Sequence, residues 1–163
     1  MEILELENLI DSEIEQYKTI EKLYVEKKEI LLHAKSDELL KIDAKILDVV
    51  QNISNISAKR KEVSEKLGIM TPSLSEIIGL LRTKDPESVP RFEQKQKTVR
   101  ELSKKISELE RANLELTKHG LQFTNKTLEA ILKGASLNNQ EYNERGKSVQ
   151  AELPEMSSIV EDV

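Results

Sequence analysis

Residues 39–67 read LLKIDAKILDVVQNISNISAKRKEVSEKL. Leu39, Ile42, Ile46, Val49, Ile53, Ile56, Arg60, Val63 and Leu67 follow one another in alternating steps of three and four. At about 100° per residue, such steps return every member to one side of a helix. This is the seam of a coiled coil with one charged member. Arg60 has two readings, an ion pair or a stem lying along the seam with its guanidinium in water. The second is the expectation, because a long aliphatic stem covers apolar surface cheaply.

The same period extends outward in both directions. Upstream, Ile3, Leu6, Ile10, Ile14, Tyr17, Ile20, Tyr24 and Leu31 lie along one face of a helix over residues 2–33. Ser36 and Asp37 are candidate N-caps for the next helix, over 37–67. The short connection at 34–36 makes the two helices antiparallel neighbours. Downstream, the pattern breaks between Gly68 and Pro90. MTPSLSEIIGLL (70–81) reads as a short helix near 73–81, opened by Thr71 and Pro72 or by a Ser73/Glu76 capping box. Its apolar residues Leu74, Ile77, Ile78, Leu80 and Leu81 are expected to plug one end of the bundle. TKDPESVP (83–90) is expected to be a loop. A third long helix then spans 88–133, stopped by Gly134 in the position helices use to end. The expected fold is all-α: an elongated antiparallel bundle or coiled coil of three long helices plus one short helix. The bundle domain covers 1–134, and 135–163 is a polar, flexible C-terminal tail.

Composition agrees and removes several functions. Charged residues make up 34% and aromatics 3%, a balance suited to long helices and poor for a sheet. The formal charge is −5, with both signs interspersed, so a phosphate backbone is repelled and nucleic acid is not an expected partner. No cysteine is present, which excludes disulfides and thiolate chemistry and fits a cytoplasmic location. The opening MEILELENLI has neither a basic n-region nor a sustained apolar run, so no signal peptide and no membrane insertion are expected. His33 and His119 are the only histidines, and neither has a second ligand at metal spacing. No Gly-rich loop can cradle a phosphate. The expectation is a protein with no catalytic residues, metal or cofactor, whose function resides in its surfaces.

One surface stands out. On the third long helix, Val99, Leu102, Ile106, Leu109 and Asn113 form a narrow seam, enough for one neighbour. After Asn113 the apolar arc widens to about 200° on the helical wheel. Leu116, Gly120, Phe123, Thr127, Ala130 and Ile131 fall on one side of it; Leu114, Leu121, Leu128 and Leu132 fall on the other, with Thr117 and Thr124 between. Either the first two helices grip the arc from both sides, or one side packs internally and the other receives an amphipathic helix from a partner. The expected client-binding residues are Leu114, Thr117, Leu121, Thr124, Leu128 and Leu132. Beyond the helix, NNQEYNERGK (138–147) holds Tyr142 in polar surroundings. Its ring either folds back on the bundle or is offered to another protein, a role tyrosine fills at low entropic cost.

YVEKKEILLHAKSDELLKID (24–43), Arg60, ANLELTKHGLQFTNKTLEAIL (112–132) and EYNERG (141–146) together resemble the FlgN family of flagellar export chaperones. The resemblance covers roughly residues 1–147 and finds no counterpart for SVQAELPEMSSIVEDV (148–163). It implies a cytoplasmic chaperone that binds the C-terminal helices of the hook–filament junction proteins FlgK and FlgL. It implies delivery of these clients to the export gate FlhA, with Tyr142 in the place of the gate-docking tyrosine, and no catalysis or cofactor. Two rival classes are a structural coiled-coil homodimer or adaptor, whose arc is a self-interface, and a prefoldin-type chaperone. Residues 68–90 lack the alternating strands that a prefoldin hairpin needs.

Overall fold

The computed structural model describes the backbone of residues 1–143 and the side chains of residues 1–134. Helix α1 spans Glu2–Leu32, α2 Ser36–Lys66, α3 Leu74–Lys84 and α4 Val89–Asn143. A 3-10 turn, Pro86–Ser88, joins α3 to α4. The fold is an all-α helical bundle, with no strand among the described residues. Two compact units divide the chain, Met1–Gly120 and Leu121–Val163.

The first unit is built on the α1–α2 hairpin. Neither helix contains Gly or Pro, so each runs uninterrupted for 31 residues. Both end in the same hydrogen-bond pattern. At the end of α2, Gly68 N–H donates to Glu65 O at 3.0 Å and Ile69 N–H to Ser64 O at 2.9 Å. This Schellman turn requires a left-handed residue, and Gly68 supplies it at φ +81°. At the end of α1, Ala34 N–H donates to Leu31 O at 3.4 Å and Lys35 N–H to Ile30 O at 3.2 Å. Here the left-handed residue is Ala34, φ +53°, whose Cβ makes that conformation costly. Ser36 and Asp37 do not cap α2 as expected. Lys35 is the N-cap, without a side-chain bond, because the tight turn draws Ser36 into the first turn, its N–H held by Ala34 O at 3.2 Å.

For α3 the cap is Ser73, as in the second alternative, but Glu76 reaches back past it to Thr71 rather than closing the box on Ser73 itself. Ser73 Oγ accepts from Glu76 N–H at 3.2 Å, and Glu76 Oε2 accepts from Thr71 N–H at 3.2 Å. The buried side of α3, Leu74, Ile77, Ile78 and Leu81, joins Leu6, Ile10 and Ile14 of α1, Val63 of α2, and Phe92 and Leu102 of α4 in one core. The short helix therefore closes the end where α1 begins, α2 finishes and α4 starts. The expected loop at 83–90 is mostly helical: α3 continues to Lys84 and the 3-10 turn leads directly into Val89. Buried Ser88 holds this corner, donating to Asp85 and accepting from Arg91 at 3.0 Å.

Helix α4 runs parallel to α1. Arg91 pairs with Glu7 at 3.2 Å, Lys95 with both Glu7 and Asp11, and Lys105 with Glu21 at 3.6 Å. The offsets 91 − 7, 95 − 11 and 105 − 21 are all 84, a multiple of seven, so the helices hold one heptad register over these turns. Such partly exposed pairs contribute little stability each. Their value lies in matching an acidic edge to a basic one and selecting this neighbour.

The expected stop at Gly134 does not occur: α4 continues to Asn143. A glycine inside a helix costs about 1 kcal/mol relative to alanine but does not end it. Propagation needs no new nucleus, and no proline follows until Pro154.

Candidate functional site

The α1–α2 interface carries a buried polar cluster. Arg60 does not send its head to water. Its guanidinium lies 2.8 Å from Glu13 Oε2, with the two side chains 15% and 5% exposed. Tyr17 donates to Glu13 Oε1 at 2.9 Å. The expectation failed because a carboxylate stands across the seam, and its attraction in a poorly solvated site outweighs the hydration Arg60 would regain. The approach is Coulombic rather than well aligned: Glu13 Oε2, Arg60 Nε and the nearby buried Ser64 Oγ lack hydrogen-bond partners. Burial, then the charge of Glu13, then its hydrogen bond push the Tyr17 hydroxyl up to about 12, with Arg60 opposing. A tyrosine so protected remains a neutral donor at physiological pH. The cluster is structural: it fixes the hairpin register and offers no group to a substrate.

Beside it, a groove of about 350 Å³ opens between α2 and α4. Tyr17, Ile20 and Tyr24 of α1 line its floor, Val50 and Ile53 of α2 one wall, and Ser103, Ile106, Ser107 and Glu110 of α4 the other. Farther along, Asn113 is 4% exposed and donates through Nδ2 to the Tyr24 carbonyl at 3.0 Å. Among the described residues it is the last buried one on α4. By the register of 84, Leu32, the final residue of α1, stands level with residue 116 (32 + 84). The narrow seam thus stops where α1 runs out. Leu109 on this seam is only half-buried, whereas Leu102 and Asn113 are its buried members.

The expected client-binding residues divide between the two units. In the first, Leu114 is 53% exposed, and half-buried Thr117 donates its hydroxyl to Asn113 O at 2.8 Å. In the second, Leu121, Leu128 and Leu132 are 61%, 51% and 48% exposed, and Thr124 is exposed as well. The side of the arc expected to pack internally does so only at Leu116, which is half-buried. Phe123 and Ile131 are strongly exposed, and so are Thr127 and Ala130, so neither face of the arc is covered among the described residues. Tyr142 was expected about eight residues beyond the helix. Its backbone instead belongs to the last turn of α4, while its side chain, and with it the docking role expected for it, lies outside the described residues.

The family profile described as FlgN protein matches residues 1–150. The chain belongs to the FlgN family. All four helices lie within that match, and the family is one of non-enzymatic flagellar export chaperones. No curated protein and no solved structure matches the chain. Among the described residues of this FlgN-family chain, no group of His, Asp or Glu could hold a metal ion, and no helix is long and apolar enough to cross a membrane. Glu13 and the parallel pairing of α1 with α4 escaped the sequence reading. The available signal was charge in phase: Glu7 and Glu21 are 14 residues apart, as are Arg91 and Lys105.

Proposed function

We propose that this FlgN-family chaperone is cytoplasmic and holds the amphipathic C-terminal helix of hook–filament junction subunits of the FlgK and FlgL kind. The seat is the apolar side of α4: Leu121, Thr124, Leu128 and Leu132, with Leu114 and Thr117 of the same helix. The observation that carries this reading is that Leu121, Leu128 and Leu132 remain about half or more exposed in a helix of this family. Covering a leucine yields about 1.5–3 kcal/mol, and association entropy removes much of the sum. The balance favours a hold that can be released. Tyr142 is the proposed contact for an FlhA-like export gate. Helical continuity places its Cα 18 residues, or about five turns, beyond Thr124. One helix then carries both client seat and gate contact.

The test is Leu121→Asp/Leu128→Asp, measured by light scattering with a purified FlgK-type client and by thermal melting alone. The expected result is loss of a 1:1 complex with the melting temperature unchanged within about 2 °C, as for substitution of exposed residues. A melting point lowered by 10 °C would place these leucines in a core. A wild-type dimer abolished by the same double substitution would favour the coiled-coil homodimer.

A further inference from the structure

The arc on α4 has two faces, and the client seat takes only one of them. Phe123, Thr127, Ala130 and Gly134 follow one another in steps of four, three and four, a heptad seam of their own. On the helical wheel this seam is centred about 150° from Leu121, Leu128 and Leu132. Phe123 is 74% exposed, Thr127 and Ala130 are exposed, and a Cβ added at Gly134 would meet nothing within 4 Å. One large ring among small residues lets another helix approach closely, with Phe123 as the knob.

The edge of this face carries charge. Lys126 and Lys133, seven residues apart, hold the same flanking position of the seam, about 40° and 60° round the helix from Ala130. Both are exposed, and neither makes an ion pair among the described residues. The one carboxylate of residues 121–134, Glu129, stands about 40° farther round than Lys133. The opposite flank, Thr124 and Ile131, is uncharged. A partner helix is therefore selected by an acidic edge. A second copy of the chain is selected against. Antiparallel pairing on this seam sets lysine beside lysine, and parallel pairing sets Lys126 beside Ile131 of the other copy.

The two faces can be filled together. Packed helices stand about 8–10 Å apart, axis to axis. Two helices on faces about 150° apart then lie roughly 15–19 Å from each other, wider than the diameter of a helix, about 10–12 Å.

We propose that the Phe123–Gly134 face of α4 is a second docking seat. It takes an amphipathic helix of a partner protein, with Asp or Glu along one edge of its apolar stripe, and leaves the Leu121–Leu132 side to the client. The seat goes beyond the client reading and does not rest on it.

The probes are two synthetic helical peptides with the same apolar stripe, edged with Glu in one and with Lys in the other, titrated calorimetrically into the full chain at low salt. The Glu peptide should bind about tenfold more tightly, two weak attractions replacing two repulsions. The preference should reverse in Lys126→Glu/Lys133→Glu and disappear in Phe123→Asp, with the melting temperature of each variant unchanged within about 2 °C. It should persist in Leu121→Asp/Leu128→Asp. Equal binding of the two peptides to wild type overturns the proposal. So does a preference that survives Phe123→Asp or is lost in Leu121→Asp/Leu128→Asp, because the acidic helix would then sit on the other side of the arc. A chain that is dimeric without peptide, and monomeric as Phe123→Asp, assigns the face to a second copy and overturns it too. Client binding is read separately with Leu121→Asp/Leu128→Asp, so either seat can fail without the other.

Discussion

The two ends of the three-helix unit differ although the same helices build both. Where α1 begins, Leu6, Ile10, Ile77 and Phe92 are completely buried. Where α1 turns into α2, Ile30 and Ile42 are still buried, but Leu31, Leu39 and Ile46 of the apolar stripes are only half-buried. Leu32, Leu40 and Leu47 beside them are each more than half exposed, and so is Leu114 on α4. The apolar spacing is equally regular at both ends. What differs is a cover: α3 lies across the first end, and nothing among the described residues lies across the second. Periodicity fixes which side chains share a face, but burial depends on what a neighbouring element brings to that face.

The strongest way to break the comparison is one charge placed at each end. Ile77→Asp should prevent folding, since an unpaired carboxylate in a closed core costs more than most domains of this size can lose. Leu47→Asp, at the open end, should shift stability by no more than about 0.5 kcal/mol. Circular dichroism of the two variants decides it, and equal damage would mean the open end is a core after all.

Between the ends lies the Glu13–Arg60 pair, which tests how dry the middle of the hairpin is. Arg60→Met leaves Glu13 buried without its partner and should cost about 3–5 kcal/mol in urea unfolding. Adding Glu13→Leu should recover most of that loss. Failure of the second change to rescue would show that the pair acts through more than desolvated charge.

Tyr17 extends the test to alkaline pH. Its folded pKa, about 12, lies above the ordinary tyrosine value of 10.0, so the folded state holds the proton more tightly. Its contribution is fully present below pH 10 and is lost as pH rises towards 12. Melting temperature should therefore fall more steeply over that range in wild type than in Tyr17→Phe. The smallest change sharpens the contrast between the two turns. Ala34→Gly should stabilise the hairpin by about 0.5–1 kcal/mol, because glycine tolerates the left-handed C′ position that alanine occupies under strain. No gain would show that the turn relaxes in solution.

Much of the fold was legible because its signals are local. The alternation from Leu39 to Leu67 and the Ser73/Glu76 cap needed only neighbouring residues to be read. Gly134 misled for the same reason. It resembles Gly68 in isolation, yet only Gly68 adopts a positive φ, because there the chain must turn to send Ile69 into the core. Arg60 misled because its partner is 47 residues away in sequence (60 − 13) and no local pattern marks Glu13. At the candidate site, the width of the arc on α4 was legible, while the exposure of both its sides was not.

The sequence by itself determined the four helices, their apolar stripes and the helical character of the chain, since backbone hydrogen bonding and a 3.6-residue period are settled over a few turns. Tertiary structure alone decided that α4 lies parallel to α1 at an offset of 84, that Arg60 meets Glu13, and that Asn113 is the last buried residue of α4 among those described. Those outcomes depend on which surfaces distant segments present to one another. A helix can specify its own faces, but not the point at which its neighbour ends.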